Sequence, residues 1–169
     1  CSIVYIVRGD SNNDKIRLYS VETGELVREL TDNRDGKFTG IFLDPTDKKS
    51  LITCTSKGKI LFWKTDSYVI IKKLSVNIKS LVTVKKFLLT TIDDVLHGVI
   101  HYEDQEMLSN IALIELSQGN VVHEYNLPSI TLKPNIKVRF ADGIGFLVIL
   151  CRNSLYVIDK ESNEFICHS

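Results

Sequence analysis

Residues 59–71 read Lys59-Ile60-Leu61-Phe62-Trp63-Lys64-Thr65-Asp66-Ser67-Tyr68-Val69-Ile70-Ile71, which is an apolar stretch, a polar turn and a second apolar stretch. β-Branched and aromatic residues favour strands, and a short polar segment between two such runs favours a hairpin. The same phrase occurs three more times in the chain. The four copies are anchored on Ile16, Ile60, Ile111 and Leu155. Successive anchors lie 44, 51 and 44 residues apart.

A period of about 40–45 residues with several strands per repeat is typical of a β-propeller, in which four-stranded sheets surround an axis. The sequence therefore predicts an all-β fold with about four consecutive four-stranded blades. The blades are expected at residues 1–31 (incomplete), 38–75, 78–127 and 135–169. Closed propellers usually contain more blades, so we expect this chain to be a partial ring from a larger propeller.

The third unit is the one whose strands are hardest to place from sequence. Its longer spacing puts the additional residues between Ile78 and Ser109. One strand is expected near residues 80–84, and a second at either 87–92 or 96–102. A short helix within 95–107 is an alternative, because hydrophobic periodicity is weak there.

Residues 39–64 resemble a WD repeat, the propeller unit whose third strand ends in Trp-Asp. Trp63 is present and is expected in the core, but Lys64 replaces the aspartate. Arg34-Asp35-Gly36-Lys37 stands where the family has Gly-His. We therefore expect the family's buried network of His, Ser or Thr, Trp and Asp to be missing. Packing of β-branched and aromatic residues is expected to hold the blades instead.

The stretch from Ile16 to about Asp104 is similar to the N-terminal blades of WD-repeat subunits of the small-subunit processome. The similarity runs through Tyr19-Ser20-Val21, Thr39-Gly40-Ile41 and residues 54–63. It implies a factor of the nucleus and nucleolus that supports transcription and processing of pre-ribosomal RNA. The implied partners are other protein subunits of a large ribonucleoprotein assembly, with indirect or peripheral contact to pre-ribosomal RNA.

Charge and cysteine content restrict the function further. The chain has 21 basic and 21 acidic residues and a formal net charge of zero, whereas dedicated nucleic-acid binders usually carry a basic excess. The longest apolar run, 144–151, is too short to cross a bilayer, so no membrane partner is expected. The four cysteines form neither a CxxC pair nor a secreted-type framework, which favours a reduced intracellular protein.

Catalytic and metal-binding patterns are weak. His97 and His101 are four residues apart, but on a strand they would stand about 13 Å apart, too far to share one ion. The carboxylate pairs Asp93-Asp94 and Glu103-Asp104 are expected to be solvated loop charges. Neither a GxSxG elbow nor a phosphate-binding GxxxxGK[ST] loop occurs. We expect no catalytic residue, no cofactor, no metal and no small-molecule substrate.

Five charged residues are the candidates for partner binding, because they fall in loops that would share one rim of a propeller. They are Arg34, Asp35, Lys37, Lys57 and Arg152. Such a rim suits RNA phosphate or an acidic partner helix, and acidic residues expected on the same rim favour protein contact. Lys72-Lys73 is expected on an outer strand, where lysines discourage association between sheet edges.

The sequence thus favours a non-catalytic scaffold, and two alternatives stay open. The first is a WD-repeat scaffold of another complex, such as a trafficking or ubiquitin-ligase adaptor. The second is a propeller enzyme with catalytic residues along the central channel. The expected inner strands, such as 40–43 and 79–84, are mainly apolar, which argues against the enzyme.

Overall fold

The computed structural model describes residues 3–6, 15–31, 35–127, 138–142, 145–151, 154–162 and 164–168. Within these ranges the chain is all-β, and none of the described residues is helical. The strands are β1 (Ile3–Ile6), β2 (Lys15–Ser20), β3 (Leu26–Thr31), β4 (Phe38–Leu43), β5 (Ser50–Thr55), β6 (Lys59–Lys64), β7 (Ile70–Ser75), β8 (Leu81–Ile92), β9 (Val95–Asp104), β10 (Ser109–Glu115), β11 (Asn120–Asn126), β12 (Val138–Asp142), β13 (Phe146–Cys151), β14 (Ser154–Asp159) and β15 (Phe165–His168).

These strands form four sheets that follow one another along the chain. Sheet I contains β1–β3, sheet II β4–β7, sheet III β8–β11 and sheet IV β12–β15. In every sheet each strand is hydrogen-bonded to its neighbours in sequence, so the strands run up and down without crossovers. The predicted all-β fold with four-stranded antiparallel units is confirmed for sheets II, III and IV.

The repeated phrase of the sequence folds in the same way in different sheets. At the turn, one residue donates its amide to the carbonyl five positions later, and its carbonyl accepts the amide four positions later. In sheet I, the amide of Ser20 donates to the Glu25 carbonyl, and the Ser20 carbonyl accepts the Gly24 amide. In sheet II, the amide of Lys64 donates to the Val69 carbonyl, and the Lys64 carbonyl accepts the Tyr68 amide. These bonds are 2.7–2.9 Å long. In sheet III, Gly119 donates to Glu115 in the same manner at 2.8 Å. A shift in strand register precedes each of these three turns at the equivalent position.

The repeated turn requires a left-handed backbone at its fifth position. Gly24 and Gly119 have φ values of 70° and 84°, which glycine adopts without steric cost. Tyr68 takes the same place in sheet II with φ of 55°, where a side chain costs about 1–2 kcal/mol. Its ring is half-buried against the core cluster that contains Trp63.

The third unit differs from the expectations for it. The 12-residue β8 and the 10-residue β9 are joined at Asp93-Asp94, whose φ values of 49° and 60° are those of a type I′ hairpin turn. Residues 87–92 and 96–102 are therefore both strands, and the helix considered within 95–107 is wrong. Glu103-Asp104 ends β9 instead of lying in a loop, so that part of the prediction is also wrong. The additional residues lengthen this hairpin.

By their internal contacts the residues form two compact units. The first comprises Cys1–Val76 with Thr83–Phe87, and the second comprises Asn77–Val82 with Leu88–Ser169. In the first unit, sheets I and II pack face to face through one apolar cluster, because alternate side chains of each strand point to the same face. The cluster consists of Ile16, Leu18, Leu30, Phe38, Leu51, Leu61 and Trp63.

The second unit has an equivalent core between sheets III and IV. Its buried members are Val99, Ile111, Leu113, Tyr125, Leu127, Leu147, Ile149, Tyr156 and Ile158. Full burial of such a side chain contributes about 1.5–3 kcal/mol. Each unit is therefore held mainly by apolar packing between two sheets, as expected from the composition of the strands.

The opposite face of sheet II carries the start of β8, within the first unit. The Phe42 and Phe87 rings meet edge to face, with centroids 5.8 Å apart. At Gly40, a Cβ would lie only 2.9 Å from the carbonyl oxygen of Phe87. Glycine is needed there because the two backbones approach so closely. This contact fixes the position of residues 83–87 relative to sheet II.

The indole of Trp63 makes a buried hydrogen bond to a threonine of the neighbouring strand. The indole is 4% exposed, so its predicted place in the core is confirmed. Its Nε1 donates to Thr53 Oγ1 on the neighbouring strand β5 at 3.0 Å, and Thr53 is fully buried. The expectation that this network is missing is therefore wrong for the Trp–Thr bond. This bond requires neither the histidine nor the aspartate of the family pattern.

Replacing Thr53 with Val is expected to remove this bond at nearly constant volume and to lower the free energy of unfolding by about 1–3 kcal/mol, because the buried indole N–H loses its acceptor. Urea denaturation measures the change. Trp63 is the only tryptophan, so its indole N–H also gives a single NMR signal that should move upfield. Thr53→Ser is the control, since it keeps the hydroxyl and should keep the signal. An unmoved signal in Thr53→Val would contradict the assignment.

Candidate partner-binding surface

The structure brings three of the five predicted partner-binding residues together. Asp35 and Lys37 precede β4, Lys57 lies in the turn between β5 and β6, and both segments are at the same end of sheet II. The other two, Arg34 and Arg152, lie outside the described residues. The clustering of Asp35, Lys37 and Lys57 follows from the antiparallel order of the strands.

Two backbone contacts hold the loop before β4 against the β5–β6 turn. The amide of Lys37 donates to Ser56 Oγ at 3.0 Å, and the amide of Ser56 donates to the Lys37 carbonyl at 2.6 Å. Gly36, the residue before Lys37, has φ of 90°, and a Cβ at this position would lie 2.5 Å from Ser56 Oγ. Glycine is therefore required at this position both by backbone conformation and by space.

Two further segments are tied to the same turn. The amide of Val84, near the start of β8, donates to the Ser56 carbonyl at 2.8 Å. The amide of Val76, just after β7, donates to the Gly58 carbonyl at 2.9 Å. Because Val84 is buried and the strand alternates, the next residue, Lys85, is exposed.

Lys37, Lys57 and Lys85 thus surround one residue, Ser56, and we call these three side chains the lysine platform. All three are exposed. Sequence reasoning named Lys37 and Lys57 but not Lys85, because the strand that contains Lys85 could not be placed. The signal was present as the basic pair Lys85-Lys86, without the register needed to use it.

The nearby carboxylate of Asp35 is oriented toward another lysine. Lys73 Nζ lies 3.9 Å from Asp35 Oδ2, at the limit of an ion pair, and the Asp35 side chain is 21% exposed. Lys73 and Lys72 lie on β7, at the edge of sheet II, as predicted for an outer strand. Lys72 Nζ lies 5.0 Å from the centroid of the Phe62 ring.

At the opposite end of sheet II, one lysine is paired with an acidic residue and a second carboxylate binds backbone amides. Lys64 Nζ lies 3.0 Å from Asp66 Oδ2, and the hydrogen bond from Lys64 lowers the pKa of that carboxyl. Asp47 accepts hydrogen bonds from the amides of Lys49 and Ser50.

Other polar clusters in the described part of the chain stabilise turns. Asp104 accepts the amides of Glu106 and Leu108 at 3.0 and 2.9 Å and the side-chain amide of Asn110 at 2.8 Å. Asp159 accepts backbone amides in the β14–β15 turn, and the hydrogen bond from Ser162 is the main reason that its pKa is lowered. These carboxylates act as local caps for backbone N–H groups.

The cysteine and the two histidines considered from the sequence are buried side chains. Burial raises the pKa of the Cys54 thiol to about 12, which makes it a poor nucleophile. His97 and His101 are both buried on β9, and His97 Nδ1 lies 2.9 Å from the Val95 carbonyl. Across the residues that the structure describes, no three His, Cys, Asp or Glu side chains come close enough to hold a metal ion.

One cavity lies in the core of the second unit. Its volume is about 10 Å³, and its lining includes Thr90, Val99, Leu147 and Lys160. That is room for about one water molecule and not for a substrate. A search of the described ranges for a helix able to span a bilayer found none.

Comparison with known proteins adds no identification. No protein-family model matches the chain, and no curated protein is similar enough to count as a match.

Gly36→Ala is expected to disrupt the surface locally and to lower the free energy of unfolding by more than Gly24→Ala does. Both glycines have positive φ, so both variants carry about 1–2 kcal/mol of backbone strain. Only Gly36 has a neighbour within reach of a Cβ, because nothing lies within 4 Å at Gly24. Urea denaturation compares the two variants, and hydrogen exchange of the Lys37 and Ser56 amides reports the loop contact. Equal destabilisation with unchanged exchange would contradict it.

Proposed function

We propose that this chain forms part of a WD-repeat β-propeller that acts as a non-catalytic scaffold in ribosome biogenesis. In this proposal it belongs to a subunit of the small-subunit processome, in the nucleolus, and supports transcription and processing of pre-ribosomal RNA. Its partners are other protein subunits, and any contact with pre-ribosomal RNA is indirect or peripheral. The observation that carries the propeller part is the recurrence of one four-stranded unit with one turn geometry.

Three features of the described sheets support a propeller. Sheets II, III and IV each have four strands in sequence order, which is the strand order of a propeller blade. Neighbouring sheets pack face to face in each compact unit, as blades do. The bond between Trp63 and Thr53 fits the family's network, which favours the WD type among propellers.

The processome part of the proposal is supported by sequence. Residues 16–104 resemble the N-terminal blades of WD repeat-containing protein 75, a processome subunit. In the structure this stretch covers β2 to β9, and it includes the Trp63–Thr53 pair and the close approach at Gly40. The runs that carry the resemblance include Gly40 and Trp63.

A scaffold role is supported by where the charged residues lie. The carboxylates of Asp47, Asp104 and Asp159 bind backbone amides in turns, so their chemistry serves the shape of the loops. Lysines are displayed on rigid loops at the end of sheet II. Loops on a rigid β framework are suited to recognition of other macromolecules.

The proposal is tested by tagging the full-length protein in its host and identifying co-purifying molecules by mass spectrometry and RNA sequencing. We expect small-subunit processome proteins together with pre-ribosomal RNA. The same tag on an unrelated nuclear protein is the control. Depletion of the protein should also cause unprocessed pre-ribosomal RNA to accumulate.

Recovery of coat or ubiquitin-ligase subunits without processome proteins would contradict the ribosome-biogenesis proposal. Such a result would favour a WD-repeat scaffold of another complex, because the propeller argument rests on the sheets and not on the partners.

A further inference from the structure

We infer that a repeated β-bulge prevents the open edges of sheets I, II and III from pairing with a further strand. A β-bulge is one additional residue in a strand that has no residue opposite it. The additional residues are Val27 in β3, Ile71 in β7 and Val122 in β11. The inference rests on the pairing within these sheets and does not depend on the processome proposal.

The bulge is defined by the register of the last two strands in each sheet. In sheet II, Phe62 of β6 lies opposite Lys72 of β7. The next residue of β6, Trp63, lies opposite Ile70, so Ile71 is left without an opposite residue. The same omission occurs in sheets I and III, at Val27 and Val122. Each bulged residue follows the anchor of its repeat by 11 positions, so the feature recurs with the repeat.

The bulges lie where a sheet is open to strand addition. In the part of the chain that the structure describes, β3, β7 and β11 are edge strands of their sheets. The bulged residues are exposed, with fractions of 46% for Val27, 56% for Ile71 and 41% for Val122. A bulge bends its strand and increases the local twist, so a straight strand cannot pair along the whole edge. Bulges are one of the ways in which natural proteins protect exposed edges.

The residues that follow each bulge add a second form of protection. They are Arg28-Glu29, Lys72-Lys73 and His123-Glu124. Charged side chains on an edge strand disfavour the approach of another sheet edge. Backbone geometry and side-chain chemistry therefore act at the same place in three sheets.

Sheet IV shows that the repeated turn does not impose the bulge. The amide of Asp159 donates to the Glu164 carbonyl at 3.0 Å, which is the bond found at the turns of sheets I and II. The described pairing of β14 with β15 nevertheless continues from Ile158 to Leu155 without a shift in register. The turn is thus compatible with a regular edge. The bulges in the other three sheets need a separate cause, and protection of the edge supplies one.

Deleting Ile71 in the full-length protein removes one bulge without moving the neighbouring side chains to other faces. Losing one residue from a regular strand reverses the faces of all residues beyond it. Here only the residue without an opposite partner is lost, so Trp63 stays opposite Ile70 and the pair before it is also kept. Ile71→Thr is the first control, since it keeps the additional residue but reduces apolar exposure. Deletion of Lys48, in the loop between β4 and β5, is the second and controls for destabilisation.

Sedimentation velocity over a range of protein concentrations measures self-association, and circular dichroism verifies folding. We expect the Ile71 deletion to shift the protein to a higher oligomer than the unmodified protein, while both controls sediment as the unmodified protein does. Hydrogen exchange of β7 should slow as the oligomer forms.

A proline at Ser75 tests whether the new contact is made by the edge of β7. The amide of Val76 donates to the Gly58 carbonyl at 2.9 Å, and neighbouring amides of a strand point to opposite sides, so the Ser75 amide points to the open edge. Ser75→Pro removes that donor, and proline is tolerated on an edge strand. Added to the Ile71 deletion, this substitution should restore the sedimentation of the unmodified protein.

A folded Ile71 deletion variant that sediments as the unmodified protein does would overturn the inference. Association that Ser75→Pro does not reverse, or that the Lys48 deletion shows equally, would overturn it as well, because destabilisation would then be the cause. If the Ile71 deletion does not fold, deletion of Val122 makes the same test in sheet III. Loss of folding in both would show that the bulges serve folding and that the inference is wrong.

Discussion

Apolar packing between the faces of neighbouring sheets is the interaction on which the rest of the described structure depends. A four-stranded antiparallel sheet cannot bury its own faces, so each one needs another sheet against it. Sheet I meets sheet II through residues such as Leu18 and Trp63, and sheet III meets sheet IV through residues such as Ile111 and Ile149. Because the faces are used for packing, polar and charged residues are left to the turns and the edge strands. Recognition is therefore expected at the ends of the sheets.

The end of sheet II shows how backbone constraints can place charge. Ser56 is hydrogen-bonded to the segments on both sides of it, and Gly36 allows the loop before β4 to approach closely. As a result, lysines that are far apart in sequence become neighbours. Asp35, the acidic residue of this loop, lies near Lys73 at the sheet edge. No unusual residue is needed, since the site results from where ordinary lysines are held.

Much of the fold could be predicted because the repeat has a regular length and turn. The β8–β9 hairpin could not, because its strands are longer and its turn is Asp93-Asp94 instead of a glycine-containing pair. Lys85 was missed as part of the site for the same reason, since its strand had no assigned register. The Trp63–Thr53 bond was missed because the family pattern includes an Asp and a His that this chain lacks. Contacts across strands depend on register, which spacing alone does not give.

We propose that the four sheets are consecutive blades of one propeller. Electron cryomicroscopy or crystallography of the full-length protein tests this most directly, because it shows how the sheets are arranged. We expect sheets I to IV to follow one another around a common axis, with the first strand of each sheet closest to that axis. A β-sandwich, a closed barrel, or sheets that do not share an axis would contradict it.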